Sequence, residues 1–166
     1  MPTTASAKTT TGSTTTLKMK KDAIKLLTDD HNKVKKMFKE FEELSKKSDA
    51  KGKEELVTQI CKELTVHTQL EEEIFYPAVR AAINDDDLMN EAMVEHAEAK
   101  DLIAQIQSMV ASDSMYDAKV TVLSENIVHH VEEEENEMFP KAQKSDMDLE
   151  ELGLEIAERK AALMEK

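Results

Sequence analysis

The sequence carries the same arrangement of unusual residues twice. Each half contains a His, then a His followed four residues later by a Glu, and then an aromatic residue directly before a Pro. The equivalent pairs are His31 with His96, 65 residues apart, and His67 with His130, Glu71 with Glu134 and Pro77 with Pro140, each 63 residues apart. Residues four apart share one face of a helix. The repeat therefore predicts two similar helical hairpins whose polar residues meet in one interior.

Apolar residues recur at steps of three and four along four long segments, which is the period of an amphipathic helix. The four predicted inner faces are Ile24, Leu27, His31, Val34, Phe38 and Phe41; Leu56, Ile60, Leu64, His67, Glu71, Ile74 and Ala78; Met89, Ala92, His96, Ala99, Ile103, Ile106 and Val110; and Leu123, Ile127, His130, Glu134 and Met138. Pro140 is expected to bend or end the fourth helix. A fifth amphipathic segment carries Leu149, Leu152, Ile156 and Leu163.

The composition favours helices throughout. Only three Gly and three Pro interrupt the 166 residues, which suit a single domain. We predict an all-α protein, with an up-down-up-down four-helix bundle over residues 18–146. A disordered tail is expected at residues 1–17, where Thr, Ser, Ala and Lys leave almost nothing to bury, and a C-terminal amphipathic fifth helix at residues 147–166.

Charge and cysteine content exclude several classes of function. The net charge of −13 repels a phosphate backbone, so no nucleic-acid partner is expected. No apolar run reaches the roughly 18 residues of a membrane span, so no membrane partner is expected either. Cys61 is the only cysteine, which rules out an internal disulfide and suits a cytoplasmic location. We interpret Cys61 as a small core residue.

Each of the four predicted inner faces contains a His, and two of them contain a Glu one turn later. A buried carboxylate without a partner costs many kcal/mol, so buried charges are in practice paired or bound to a metal. Imidazole and carboxylate ligands suit iron, manganese or zinc, and the two carboxylates are enough to bridge two metal ions. The candidate ligands are His31, His67, Glu71, His96, His130 and Glu134.

A metal-free interaction bundle is the plainer alternative. A single His on an apolar face is usually a hydrogen-bonded core residue, and a His and a Glu four residues apart often form a surface ion pair. That explanation requires four of the five His to occupy equivalent core positions by chance. It also requires the spacing of His, Glu and Pro to repeat by chance in two halves that otherwise share little, so we favour a metal site.

The adjacent residues His129 and His130 leave the register of the fourth helix to be decided. His130 shares its helix face with Leu123, Ile127 and Glu134, whereas His129 lies on a polar face. The acidic runs 71–73 and 132–135 are expected to supply one inward carboxylate each. Their other members are expected to be solvated or to orient the imidazoles from outside.

These motifs resemble the hemerythrin, or HHE cation-binding, family over about residues 22–143. The resemblance rests on DDH at 29–31, HTQLEEEIFYP at 67–77, EHAEAKDLI at 95–103 and HHVEEEENEMFP at 129–140. It implies two non-haem iron ions, bridged by carboxylates and an oxo or hydroxo group and reactive toward dioxygen. The family's ligand positions fall on the six candidate residues.

The chain departs from the invertebrate oxygen carriers of that family at two positions. Lys100 stands one turn after His96, where those proteins have a second His, and Glu134 stands where they use an Asp. Lys100 either faces the metals or extends to solvent. The departures shift the expected ligand from dioxygen toward peroxide or nitric oxide.

Binding of such a small ligand is the first hypothesis for function. A catalase-like or peroxidase enzyme and an iron or oxygen sensor are the alternatives. A ferritin-like oxidase is disfavoured because the Glu-x-x-His pairs of that bundle are absent. The oligomeric state is left open by the sequence.

Overall fold

A computed structural model describes residues 20–166 of the chain. The predicted tail at residues 1–17 lies outside the described part. Within the described part, the elements are α1 (Ala23–Lys46), α2 (Ala50–Leu70), a π-helical turn π1 (Glu71–Phe75), α3 (Tyr76–Ala82), α4 (Asp86–Gln107), α5 (Tyr116–Glu133), a second π-helical turn π2 (Glu134–Met138), α6 (Phe139–Lys144) and α7 (Leu149–Met164).

Four long helices form the bundle: α1, the continuous helix α2–π1–α3, α4, and the continuous helix α5–π2–α6. Each packs against two neighbours, α1 on α2 and α5, and α4 on α2 and α5. The connections between them are short, so consecutive helices run antiparallel. The predicted all-α bundle with a fifth C-terminal helix is confirmed. No helix in residues 20–166 is long and apolar enough to cross a membrane.

Aspartates start four of the helices. The side chains of Asp22, Asp49, Asp85 and Asp148 accept hydrogen bonds from the backbone N–H three residues later, at 2.8–3.2 Å. These bonds satisfy donors that the first helical turn leaves without partners, and each is typically worth about 1 kcal/mol. The starting points of α1, α2, α4 and α7 are therefore encoded locally.

The two π-helical turns change which residues face inward. Each turn begins at the Glu of the His-x-x-x-Glu motif, and the bonds Tyr76 N–H to Glu71 O and Phe139 N–H to Glu134 O close it. The wider turn carries the inner face forward by one residue. Tyr76 and Val79 are therefore buried, whereas Ile74 and Ala78, which the sequence predicts to face inward, are only half-buried.

Two further predictions about helix ends are corrected. Of the two outcomes expected at Pro140, the end of the helix is not seen: the helix continues to Lys144, because the π-helical turn places the proline in the first turn of α6, where a missing N–H is tolerated. The third bundle helix ends at Gln107, so Val110 lies in the following loop and is exposed instead of inward-facing.

The core consists of two apolar clusters separated by a polar layer. The first contains Phe38, Ile60, Leu64, Ile103 and Leu123, and the second contains Leu27, Leu70, Phe75, Met89 and Phe139. Along α1, His31 lies between Leu27 of the second cluster and Val34 of the first. The other three inner His occupy the same level of their helices. The polar layer is thus sealed by apolar side chains above and below.

Helix α7 covers one side of the bundle, as the sequence predicts. Ile156 and Leu163 are buried against the second apolar cluster. Gly153 allows a close approach, since a Cβ at this position would lie 2.6 Å from the backbone oxygen of Lys21. The helix also contributes Lys160, whose ammonium group pairs with Asp30 beside the polar layer.

Candidate metal centre

Four imidazoles meet in the polar layer in two pairs. Nε2 of His31 lies 3.1 Å from Nε2 of His67, and Nε2 of His96 lies 3.1 Å from Nε2 of His130. All four residues are buried. Each pair joins the first helix and the second helix of one hairpin, so each hairpin of the repeat contributes one pair.

The carboxylates of Glu71 and Glu134 lie between the two imidazole pairs. Oε1 of Glu71 is 2.9 Å from Nε2 of His67, and its Oε2 is 3.1 Å from Nε2 of His96. Oε1 of Glu134 is 2.9 Å from Nε2 of His130, and its Oε2 is 3.3 Å from Nε2 of His31. Each carboxylate therefore places one oxygen beside each imidazole pair, which is the arrangement of a bridging ligand.

The six side chains form two groups suited to a cation. The first comprises His31, His67, Glu71 and Glu134; the second comprises His96, His130, Glu71 and Glu134. In each group the donor atoms lie within 4.8 Å of one another. In the first group, Glu71 Oε1 and Glu134 Oε2 are buried and accept no well-oriented hydrogen bond within the described residues, although imidazole nitrogens lie 2.9 and 3.3 Å away. Such orphaned oxygens are costly unless a cation occupies the site, so the donor set fits a metal.

Tyr76 makes the second group different from the first. Its Oη lies 3.1 Å from Glu71 Oε2, 3.1 Å from His96 Nε2 and 3.3 Å from His130 Nε2, and it also hydrogen-bonds Glu134. The two carboxylate oxygens of this group therefore have a donor that those of the first group lack. A cation in the second group would have a phenol oxygen beside it as well as four ligand atoms.

Charge pairing across the layer shifts the pKa of several ligands. Burial alone would lower the pKa of His67, but the charge of Glu71 and a hydrogen bond with Asp30 raise it to about 10. Burial would likewise lower the pKa of His130, but the charge of Glu134 and its hydrogen bond outweigh burial and raise this pKa to about 11. Burial would raise the pKa of Glu71, but His67 and its neighbours hold it well below its usual range. In the metal-free layer, His67 and His130 are thus imidazolium ions paired with the carboxylates of Glu71 and Glu134.

A second ring of carboxylates faces the outer nitrogens of the four imidazoles. Asp30 lies 3.1 Å from Nδ1 of His67, and Glu72 lies 2.9 Å from Nδ1 of His96. Glu135 lies 3.2 Å from Nδ1 of His31, and Glu95 lies 3.4 Å from Nδ1 of His130. Such outer carboxylates fix the ring orientation of metal-binding histidines. The expectation that extra members of the acidic runs orient imidazoles is met by Glu72 and Glu135.

His129 and His130 have opposite orientations, as the helix register predicts. The side chain of His130 is 6% exposed, whereas that of His129 is 66% exposed and contacts Glu133 at 3.2 Å. Cys61 is fully buried in the first apolar cluster, and burial raises the pKa of its thiol to about 11. It therefore packs as a small core residue.

Lys100 extends away from the four imidazoles. Its Nζ lies 2.6 and 2.7 Å from the two oxygens of Glu72, and half of its side chain is exposed. Of the two orientations that the sequence leaves open, the structure has the outward one. Lys100 contacts the layer only through Glu72, which in turn faces His96.

Sequence reasoning missed Asp30, Glu95 and the polar role of Tyr76. Asp30 and Glu95 immediately precede the first His of each half, so the repeat itself contained the signal. Tyr76 lies five residues after Glu71, which is off the face of a regular α-helix. Only the π-helical turn brings its hydroxyl under the carboxylate, and no apolar periodicity reveals that turn.

A small cavity adjoins the imidazoles on the side of the first apolar cluster. Its volume is about 10 Å³, close to the space that one water molecule needs. Besides the imidazoles, its walls include the apolar side chains of Val34, Leu64, Ile127 and Val131. The layer therefore adjoins a cavity that can hold about one water-sized molecule and nothing larger.

An antiparallel four-helix bundle with a buried layer of four His and two Glu defines a bundle of the cation-binding class. The sequence matches the family described as Hemerythrin HHE cation binding domain over residues 22–142. This match covers most of the chain, and the protein belongs to the hemerythrin HHE family.

Two individual proteins are similar to the chain. A DNA nickase from Nostoc sp. is 36% identical over 110 residues, which are 66% of this chain and 30% of the nickase. The chain thus spans less than a third of that curated relative. The crystal structure of a hemerythrin HHE cation binding domain-containing protein from Mycobacterium kansasii has a TM-score of 0.72 at 24% identity, covering 86% of this chain and 87% of that one. This second likeness supports the fold.

Proposed function

We propose that the protein holds two non-haem iron ions, oxo- or hydroxo-bridged, and binds dioxygen or a related small ligand such as peroxide or nitric oxide. The proposed ligands are His31, His67, Glu71, His96, His130 and Glu134. The observation that carries the proposal is the position of Glu71 and Glu134. Each of them places one carboxylate oxygen beside the first imidazole pair and the other oxygen beside the second pair. A single ion would use only half of this donor set.

The donor types fit iron as well as manganese or zinc, and membership of the hemerythrin family favours iron among them. Two imidazoles and two carboxylate oxygens per position form a set that non-haem iron accepts, and no thiolate lies among the donors. A bound iron pair supplies one-electron and oxygen chemistry that no amino-acid side chain can provide. The described residues thus have to bind, orient and shield the metals.

The surrounding residues carry out those three tasks. Asp30, Glu72 and Glu135 face the outer nitrogens of three imidazoles and hold the rings in place. The two apolar clusters close the layer from both sides and limit the entry of water. The cavity beside Leu64 and Ile127 has room for about one water-sized molecule, which excludes larger organic substrates.

The nicking activity of the Nostoc relative is not part of the proposal. That name describes a protein of which this chain spans 30%. The net charge of −13 opposes contact with a phosphate backbone. Supercoiled plasmid incubated with the iron-loaded protein should stay supercoiled on an agarose gel; nicking that is lost in Glu71→Gln would contradict this.

Metal analysis combined with optical spectroscopy tests the proposal. The protein as isolated should contain about two irons per chain, since six donors surround two positions. Spectra recorded under nitrogen should change on exposure to air, peroxide or nitric oxide. Saturation by a single zinc ion, or a spectrum indifferent to all three ligands, would refute the proposal.

The same sample separates binding from catalysis. A carrier or sensor consumes one equivalent of peroxide per site and stops, whereas a catalase-like enzyme releases oxygen over many cycles. An oxygen electrode measures this difference directly. Release of many equivalents of oxygen per chain would favour the enzyme alternative, at the same metals, over ligand binding.

A further inference from the structure

The four outer carboxylates differ in what neutralises them. Asp30 is paired with Lys160, Glu72 with Lys100, and Glu135 with Lys35 at 3.9 Å. Glu95 has no Lys or Arg within 4.0 Å among the described residues. One of the four imidazoles, His130, is therefore backed by a carboxylate that has no Lys or Arg partner.

Beside Glu95, two side chains lie in the position that a lysine takes beside Asp30, Glu72 and Glu135. These are His129, whose Nε2 is 3.2 Å from Oε1 of Glu133, and Glu133 itself. One donor atom each from Glu95, His129 and Glu133 lies within 4.8 Å of the others. All three side chains reach solvent, with Glu95 18% and Glu133 29% exposed. The cluster is thus accessible from outside, unlike the buried layer.

No Lys or Arg in residues 20–166 forms an ion pair with Glu95 or Glu133, so the nitrogens that face these carboxylates belong to His129 and His130. Oε2 of Glu95 is buried and has no hydrogen-bond partner in the described part of the chain. It lies 3.4 Å from Nδ1 of His130, the longest of the four such separations, and that nitrogen is also without a partner. A polar oxygen left in this state indicates a ligand.

We propose that Glu95, His129 and Glu133 form a second, surface site for a divalent cation that accepts imidazole and carboxylate ligands, such as Zn²⁺, Mn²⁺ or Fe²⁺. One imidazole and two carboxylates are a common three-ligand set, and water completes the coordination. The ion takes the place that a lysine ammonium takes beside the other three outer carboxylates. It fixes Glu95, which then orients His130 from outside.

The site is separate from the buried layer, although Glu95 connects the two. None of its three residues is among the six proposed ligands of the iron pair. The equivalent of His129 in the first half is Val66, and the equivalent of Glu133 is Leu70, both apolar. The first half therefore has no matching surface site, and the second cation breaks the symmetry of the repeat.

Isothermal titration with Zn²⁺ tests the site in the full chain. The protein is first loaded with iron and desalted, and its iron content is measured again afterwards to show that zinc did not replace it. Wild type should bind one Zn²⁺ per chain. His129→Ala and Glu133→Gln should each weaken this binding at least about tenfold. Glu132→Gln is the matched control, because it removes the same charge from an exposed neighbour.

The outcomes separate this site from the iron pair. If the isolated chain holds no iron, zinc is titrated into the metal-free protein, and His129→Ala should still bind one equivalent fewer than wild type. Thermal unfolding monitored by circular dichroism shows that each variant is folded. Equal zinc stoichiometry and affinity in wild type, His129→Ala and Glu133→Gln, or no zinc bound beyond the buried layer, would overturn the proposal.

Discussion

Tyr76 and Phe139 occupy equivalent positions in the two halves of the bundle. Each directly precedes the proline of its half, and each stacks on an imidazole of the other half. The ring centroids are 5.1 Å apart for Tyr76 and His96, and 5.7 Å apart for Phe139 and His31. The pair differs by one hydroxyl group, which contacts the carboxylates of both Glu71 and Glu134. That single oxygen makes the two candidate metal positions chemically unequal.

Removing this hydroxyl should destabilise the metal-free protein. In Tyr76→Phe, Glu71 Oε2 and Glu134 Oε1 lose the buried hydroxyl beside them and are left with the neighbouring imidazoles alone. The expected loss in free energy of unfolding is about 1–3 kcal/mol, the usual cost of leaving a buried polar group unsatisfied. Urea denaturation of the metal-free variant measures it.

Phe139→Tyr is the matched variant for this measurement. It adds a hydroxyl on the side where Glu71 Oε1 and Glu134 Oε2 have no partner. We expect it to be at least as stable as wild type when metal is absent. Equal stability of wild type and Tyr76→Phe would show that the phenol contributes nothing to the layer.

Loss of either bridging carboxylate should lower iron content. Glu71→Gln and Glu134→Gln replace a charged ligand shared by both groups with a neutral amide, so each variant should retain at most one iron per chain. Elemental analysis after desalting gives the result. Glu73→Gln is the control, since Glu73 is exposed on the same π-helical turn and pairs with Arg159. Two irons in both bridging variants would end this assignment.

The stability of the metal-free protein should fall as the solution becomes alkaline. The folded-state pKa values of His67 and His130, about 10 and about 11, exceed the unfolded value of about 6.5. Their contribution is complete below about pH 6.5 and is lost as the pH rises toward 10, by on the order of 1 kcal/mol per pH unit for each imidazole. Urea denaturation at a series of pH values measures the loss.

Iron affinity should change in the opposite direction over the same range. A metal ion must displace the protons that His67 and His130 hold, so binding strengthens as the pH rises. Competition with a chelator at several pH values reports the affinity. A flat unfolding profile between pH 6.5 and 9 would mean that the two imidazoles are neutral in the folded, metal-free chain.

The adjacent residues His129 and His130 give opposite expectations. His130→Ala removes a buried donor and should cost one iron per chain, whereas His129→Ala should keep both irons because its side chain lies at the surface. Iron analysis of the two variants prepared side by side decides the point. Loss of iron in His129→Ala alone would mean that the register of the fourth bundle helix is wrong by one residue.

The six inward residues were predictable because helical period and repeat agree on them. His31, His67, His96 and His130 fall on apolar faces, and burial leaves few explanations for a carboxylate on the same face. The ring of outer carboxylates was only half predictable. Glu72 and Glu135 follow the inner Glu, but Asp30 and Glu95 reach the neighbouring helix of their hairpin, which one helix face cannot show.

The π-helical turns were beyond reach of the pattern analysis. An extra residue in one turn moves the inner face from Ile74 to Phe75 and Tyr76, and apolar residues occupy both faces there. Counting residues at the period of a regular α-helix therefore still gives an apolar inner face, but at the wrong residues. The turn is identified by its backbone bond from Tyr76 N–H to Glu71 O, which only coordinates reveal.

Lys100 should influence the metal centre only through Glu72. Glu72→Gln weakens the carboxylate that faces Nδ1 of His96, and such outer partners typically change metal affinity by about 10–100-fold. Lys100→Met removes a half-exposed ion pair, which is worth at most about 1 kcal/mol. The losses of iron affinity in the two single variants should therefore not add up in the double variant, because Lys100→Met should have no further effect once Glu72 is changed. Additive losses would show that Lys100 contacts the bound metals or their ligand directly.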